Sequence, residues 1–294
     1  MNTTSEEIPQ LNYEAYFQKG TLWELIRKGN PYHFLQTYQA MRRAYGYHLH
    51  YVNFGYWADG IDTVEPAREM TLQSGRALGL QEGQRVLEAG SGLGQASCDL
   101  VRHFHLAEVL GMNISTSQVR FANDLVAAYG LQDRITHKEV DACAHVHTLA
   151  PGSFDHAMAQ ECLGRFPDSP GFLAGLHKVL PPGGRFAATV VTSPRPPGTL
   201  LATSQKLFFE VVPCAMSVWE SRCKQAGFSR FEAHDITDLV FKPMFAQLDR
   251  TLSAPDAMDF VHSSLRRPLR ALLDQARDGV EGGYMTYELF VAEN

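Results

Sequence analysis

The chain has 294 residues, of which 45% are hydrophobic and 20% charged, and a formal net charge of -6. That length suits one large domain or two modest ones, and that composition suits a globular fold with its own core. The negative balance leaves no footprint for nucleic acid, whose binding needs phosphates neutralised, and no apolar run approaches the ~20 residues that span a bilayer. The basic stretch "SSLRRPLRALLDQARDG" reads as a solvated helix face, and the polar, acidic "MNTTSEEIPQ" is unlike a secretory leader. Cys98, Cys143, Cys162, Cys214 and Cys223 are odd in number and scattered, with no metal-ligand spacing. A reduced, cytoplasmic protein is expected, with the cysteines as small core residues.

In chain order, residues 1–60 look largely helical, in "YEAYFQ", "TLWELIRKG" and "HFLQTYQAMRRAYG". The apolar residues of "YEAYF" and "LWELI" suit packing against another copy, so a homo-oligomer built through these helices is expected. "GYHLHYVNFGYW" (46–57) then concentrates histidine, tyrosine and tryptophan in twelve positions. It is either ordinary aromatic core or one wall of a site. From residue 85 short apolar runs alternate with helical stretches. "RVLEAG", "AEVLGMNI", "RITHKEV", "FDHAMAQ" and "RFAATVV" read as five strands. Between them, Leu93, Ala96, Leu100 and Val101, and then Val119, Ala122 and Leu125, fall at helical spacing. Strands joined by helical crossovers imply a parallel, doubly wound α/β sheet. "PPGG" (181–184) is the turn into the fifth strand, and the proline-rich "TSPRPPGT" ends that pattern. A helix stopped at Gly227, a sixth strand, a helical stretch over 243–278 and a seventh strand in "GGYMTYELFVAEN" complete the chain. The expected organisation is a helical extension and lid over 1–60, an α/β core over 61–192, and helical cap insertions with the closing strands over 193–294.

"LEAGSGLGQ" places Glu88 at a strand end and Gly90, Gly92 and Gly94 at alternate positions before a helix. Glycines belong where the backbone turns sharply and approaches a ligand too closely for a Cβ. The spacing is GxGxG rather than the GxGxxG of dinucleotide sites, and a carboxylate two residues before the first glycine would repel a pyrophosphate. The second strand ends at Asn113, where a dinucleotide site normally has an acidic residue for the ribose. S-adenosylmethionine has no phosphate and carries an ammonium and a sulfonium, so an acidic loop suits it. Behind Asn113, Ser115 and Gln118 form an S-x-x-Q capping box, a structural explanation that stands beside a ligand role for Gln118.

Together "VLEAGSGLGQ", "VLGMNISTSQVRFAN", "EVDA", "FDHAMAQECLGRF" and "VLPPGGRF" resemble the successive motifs of class I S-adenosylmethionine-dependent methyltransferases. The likeness is to the branch acting on quinones, tocopherols, sugars and other natural products. It implies a Rossmann-like, doubly wound seven-stranded methyltransferase fold with helical lid and cap additions at the N-terminus and after the fifth strand. It also implies S-adenosylmethionine as cofactor, S-adenosylhomocysteine as product, a small-molecule substrate, and no nucleic-acid or membrane partner. By the same resemblance Glu88, Gly90, Gly92 and Gly94 would cradle the methionine part, and Asn113 and Gln118 the ribose. Asp141, with the backbone of Ala142, would meet the adenine, and Gln160 would offer backbone to the ammonium. Asn113 departs from the acidic residue usual in the family, and Asp141 has loop capping as its alternative.

Methyl transfer is an in-line displacement, so alignment supplies much of the catalysis. A base is required only where the acceptor holds its proton at neutral pH. The branch commonly has a histidine four residues beyond the acidic residue at the fourth strand end; here that place is Arg165. Arg165 either holds an anionic or carbonyl-bearing substrate or pairs with Asp168 or Glu161. Glu161 is a general base, a ligand for the cofactor ammonium, or a helix-terminal charge. The paired acidic residues that would ligate magnesium are absent there, so no metal is expected. "NFGYW" resembles the segment that folds over the cofactor in this branch. Tyr38 matches a tyrosine that in relatives reaches the cofactor carboxylate, which makes it a catalytic and cofactor-binding candidate, and Tyr56 is the next cofactor candidate. Asn53 stands where relatives show a histidine, leaving His50, with His48, as a replacement base. Tyr51, Arg165, His234 and Tyr284 are the substrate-side candidates. The expected activity is methylation of O, N or C of a small hydrophobic or aromatic metabolite in specialised biosynthesis. The competing reading is a protein of the same fold that binds the cofactor without methylating, as a cyclase or an interaction module.

Overall fold

The computed structural model describes residues 8–9, 11–18, 42–58, 65–195, 198, 213–253 and 263–294. The elements follow the expected alternation. Helix α1 (Pro66–Leu78) leads into β1 (Arg85–Ala89), α2 (Gln95–Phe104), β2 (Glu108–Asn113), α3 (Thr116–Ala128) and β3 (Ile135–Glu139). The short α4 (Ala142–His145), β4 (His156–Gln160), α5 (Ser169–Val179) and β5 (Arg185–Thr192) complete the parallel part. Then come α6 (Met216–Ala226), β6 (Arg230–Asp235), α7 (Thr237–Leu252), α8 (Ser263–Glu281) and β7 (Thr286–Glu293).

One seven-stranded sheet has the order β3-β2-β1-β4-β5-β7-β6. The first five strands pair in parallel, whereas β7 inserts antiparallel between β5 and β6. The central strands β1 and β4 are buried on both faces, which explains their continuous apolar runs. The edge strand β6 carries Arg230, Glu232, His234 and Asp235 and is mostly exposed, a composition that discourages pairing with a further strand. Its position shows that His234, expected near the substrate, belongs to the sheet edge, opposite Leu289 of β7.

Two local devices shape the region above β1. Ser115 caps α3 by accepting from the Gln118 amide, yet Gln118 does not complete the box. The Ser115 amide donates instead to Asn113 Oδ1 at 3.0 Å, and Asn113 Nδ2 donates to Gln118 Oε1 at 2.6 Å. Both side chains are thereby turned toward the strand end rather than along the helix.

The N-terminal region is less regular than its sequence pattern predicts. Tyr13–Ala15 is one 3-10 turn, 42–45 a single helical turn, and 47–57 irregular. "TLWELIRKG" and Tyr38 lie outside the described residues. "YEAYF" packs on its own chain: Tyr13 stacks on Phe121 of α3 and Tyr16 meets the same ring edge-on, both at 5.0 Å. Phe17 is buried in the same core, so the rings of this stretch pack on their own chain.

The 47–57 segment is fastened by buried polar contacts. The Tyr51 hydroxyl donates to Asp99 of α2, whose carboxylate also accepts from Gln95 and faces Arg68 Nε at 3.7 Å. Tyr47 donates to the Asn53 carbonyl, and Asn53 bridges the Ala67 carbonyl and the Gly55 amide. A buried carboxylate that loses a donor costs about 1–3 kcal/mol. Tyr51→Phe should therefore lower stability by about that amount, seen as a lower urea midpoint with an unchanged denaturant slope.

Candidate active site

Strand order reverses between β1 and β4, where an open α/β sheet forms a crevice beyond its strand ends. A cleft of about 400 Å³ lies there. The β1 loop contributes Gly90 and Gly92, the β2 end Asn113, Ile114, Ser115 and Gln118, and the β3 end Val140, Asp141 and Ala142. The β4 end adds Gln160, Glu161, Cys162, Arg165, Phe166 and Pro167, with Val52 of the N-terminal segment above. A recess of about 60 Å³ adjoins it, sharing Val52, Gly90, Gly92 and Gln160 and adding Glu88 and Gly94.

The three loop glycines all have positive φ: 70° at Gly90, 53° at Gly92 and 81° at Gly94. At Gly90 space is also decisive, because an added Cβ would lie 2.5 Å from Cys162 Sγ and 2.7 Å from its Cβ. Gly94 has a different reason: its Cβ would strike Ala122 Cβ at 2.7 Å, so this glycine lets α2 and α3 approach. Glycine, here, serves the cleft at one position and helix packing at the other.

Each strand-end side chain has a distinct anchor. Glu88 is 3% exposed, accepts from Ser97 of α2, and burial pushes its carboxyl up to about 7. Gln160 is held sideways, accepting from Thr71 Oγ1 at 3.1 Å and donating to Ser74 Oγ at 3.2 Å, which commits its side-chain amide to α1. Asp141 caps α4 by accepting the Cys143 amide at 2.8 Å through Oδ1. Its capping and its place in the cleft wall therefore coexist. Exposed Ile114 adds apolar surface beside Asn113, a contribution the motifs did not signal.

Glu161 differs from its neighbours in backbone and environment. Its φ of 56° is left-handed, uncommon for a residue with a side chain and a feature that concentrates at functional sites. Oε1 accepts from the Phe54 amide at 2.8 Å and from the Tyr287 hydroxyl at 2.6 Å. Burial raises its carboxyl to about 7, opposed by those two donors and by the Arg165 charge. Arg165 itself donates to the Glu161 carbonyl at 2.9 Å, a backbone contact that ties the cation to the same loop at the cleft rim.

Several expected site residues lie outside the larger cleft. His50 is 1% exposed, and both ring nitrogens are engaged, Nδ1 with the Tyr13 hydroxyl at 2.5 Å and Nε2 with the Pro9 carbonyl at 3.0 Å. Burial lowers its pKa, and the ring packs tilted against Tyr13 and edge-on to Phe121, so it fastens the N-terminus and borders the small recess rather than the large cleft. Tyr51 borders only the small recess and spends its hydroxyl on Asp99, which removes it from the substrate side. Tyr56 packs against the core and lines neither cavity. Tyr284 lies under the Arg195 guanidinium at 4.6 Å, outside both linings. His48 is exposed, its amide held by Glu65. Among the described residues no group of three or more His, Cys, Asp or Glu could hold a metal ion.

The cleft suits S-adenosylmethionine chemically: a loop with glycine at alternate positions, carboxylates Glu88, Asp141 and Glu161 at strand ends, apolar Ile114 and Val140, and Arg165 at the rim. The sequence matches the family described as a methyltransferase domain over residues 87–188. It is 31% identical to the methyltransferase GfsG of Streptomyces halstedii, over 75% of this chain and 80% of that protein. It is 26% identical to the erythromycin 3''-O-methyltransferase of Saccharopolyspora erythraea, over 74% of this chain and 84% of the relative. The fold is shared with the [4+2]-cyclase SpnF at a TM-score of 0.67 and 20% identity, covering 87% of this chain and 92% of that one. The chain thus belongs to the class I S-adenosylmethionine-dependent methyltransferases.

Two outcomes test the loop. Gly90→Ala meets both strained φ and the Cys162 side chain, so S-adenosylhomocysteine binding should weaken by about 10–100-fold in calorimetry. Glu88 has a folded pKa above the usual carboxylate value, so the stability of its protonated form is full below that usual value and lost as pH rises through about 7. Glu88→Gln should accordingly gain stability relative to the unaltered protein from pH 5 to pH 8, measured by denaturation without cofactor.

Proposed function

We propose that this enzyme methylates a hydroxyl oxygen of a small, largely apolar natural product, with Glu161 as the general base. The observation that carries the reading is a carboxylate in the cleft wall, its backbone held left-handed and one oxygen engaged by two fixed donors; burial pushes its carboxyl up to about 7. An alcohol holds its proton at pH 7, so an oxygen acceptor benefits from a base poised at that pH. One relative is named as an erythromycin 3''-O-methyltransferase, which favours an oxygen acceptor of comparable size. Bound S-adenosylmethionine supplies a methyl carbon activated by its sulfonium.

The residues of the chain then divide the work. Gly90, Gly92 and the Gln160 backbone border the cofactor's amino-acid end, with Glu88 beneath. Asn113 and Gln118 hold the ribose, and Asp141 with Ala142 meets the adenine. Phe166, Pro167 and Val52 give the acceptor an apolar surface, and Arg165 meets a carbonyl or anionic group at the rim. Glu161 orients the acceptor hydroxyl and takes its proton as the oxygen bonds to carbon. No metal is assigned a role in this scheme.

A panel of hydroxylated macrolactones, assayed for S-adenosylhomocysteine release, tests the reading. Release should rise with pH through about 7, because burial holds the Glu161 proton on below that point and only the carboxylate serves as base. Glu161→Gln should lower kcat about 10²–10⁴-fold while S-adenosylhomocysteine affinity stays near that of the unaltered chain. An unchanged kcat would remove Glu161 from the chemistry. Tight binding with no release on any acceptor would favour a cofactor-binding cyclase, the activity named for the SpnF structure.

A further inference from the structure

A carboxylate base is defined by which of its two oxygens is kept for the proton. Two donors converge on Glu161 Oε1, the Phe54 amide at 2.8 Å and the Tyr287 hydroxyl at 2.6 Å. Tyr287 is completely buried in β7, opposite Val191 of β5. Its amide donates to Thr237 Oγ1 and its carbonyl accepts from the Ile236 amide, which fix the backbone. Its ring meets Phe241 edge-on at 5.6 Å and Phe54 at 6.2 Å, which fixes the phenol. Glu161 is fixed from the other side, its amide donating to the Thr189 carbonyl and its backbone held left-handed. A deeply seated phenol therefore reaches the cleft wall through a single rigid contact.

We infer that Tyr287 is the positioning residue for Glu161: with the Phe54 amide it occupies Oε1 and leaves Oε2 as the oxygen that accepts the substrate proton. The inference rests on the reading of Glu161 as base. Besides Tyr287, the titratable groups acting with Glu161 are Arg165 of the same loop, Tyr47 of the N-terminal segment and the adjacent Cys162. Arg165 favours the carboxylate, whereas burial disfavours it. The two hydrogen-bond donors favour the carboxylate too, so removing the phenol oxygen shifts the balance toward the protonated acid. Tyr287 also brings the far end of the chain to the reacting strand, since β7 closes the sheet beside β5.

The test follows carboxyl carbons in the full chain labelled with carbon-13 at glutamate, saturated with S-adenosylhomocysteine, with Glu161 assigned by its loss in Glu161→Gln. Tyr287→Phe should move the Glu161 midpoint upward by about one pH unit, the size expected when a carboxylate loses a charge-assisted donor. A midpoint that stays in place overturns the inference. Should Tyr287→Phe fail to fold, the unaltered chain labelled at tyrosine Cζ answers the same question. One Cζ resonance should titrate with the Glu161 midpoint and lose that response in Glu161→Gln; no such resonance overturns the inference. Failure of the base reading is separate: Glu161→Gln would then release S-adenosylhomocysteine at the unaltered rate while the two resonances still titrate together.

Discussion

The reversal of strand order between β1 and β4 is the constraint on which the rest depends. Parallel strands need crossovers, and crossovers of one hand keep successive helices on one face until the direction of winding reverses. Where the direction of winding changes, two neighbouring strand ends have their following loops led apart, and a crevice opens. The loops after β1 and β4 remain close enough that Gly90 and Cys162 exclude any Cβ between them. The glycine loop is thus shaped by the fourth strand as much as by the ligand. That close approach also brings Glu88 and Glu161, which end adjacent strands, to one site with two recesses.

The two carboxylates share a burial-raised proton affinity near 7 but differ in partners. Glu88 accepts from a helix serine beneath the loop and faces the smaller recess. Glu161 accepts from a backbone amide of the covering segment and a phenol of the last strand, and faces the larger one. A buried carboxylate beside a bound cation is driven to ionise, whereas one beside a neutral hydroxyl stays poised near its own midpoint. The same residue type thus sits in two environments, and the proposed division between a cofactor-facing acid and an acceptor-facing base follows from that difference.

The segment over the site is held by polar contacts more than by regular structure. Residues 47–57 run without helix or strand, yet Tyr47, Tyr51 and Asn53 each reach a buried partner. Buried polar groups must be satisfied, so these contacts specify one path for the chain where an apolar strap could slide. Val52 is carried over the glycine loop and the Phe54 amide onto Glu161 by that path. His50 serves the same end, tying Tyr13 and Pro9 to the segment. Its two ring nitrogens have become fasteners.

The sequence by itself determined the strands, their order of alternation, the glycine loop and the strand-end residues Asn113, Asp141, Gln160 and Glu161. These are local properties: apolar runs, helical spacing and turn glycines lie within a few residues of one another, and parallel sheets place strand ends at the cleft. Only the tertiary structure decided what the isolated aromatic and histidine residues do. His50 finds Tyr13 thirty-seven residues away, and Glu161 finds Tyr287 one hundred and twenty-six residues away. His234 and Tyr284, chosen from the cap region, fall on a sheet edge and beneath an arginine instead. A side chain's hydrogen-bond partner is set by which elements pack together, and nothing in its immediate neighbours encodes that choice. Both His50 and Glu161 are base candidates by sequence, and what distinguishes them, burial and donor geometry, is long-range.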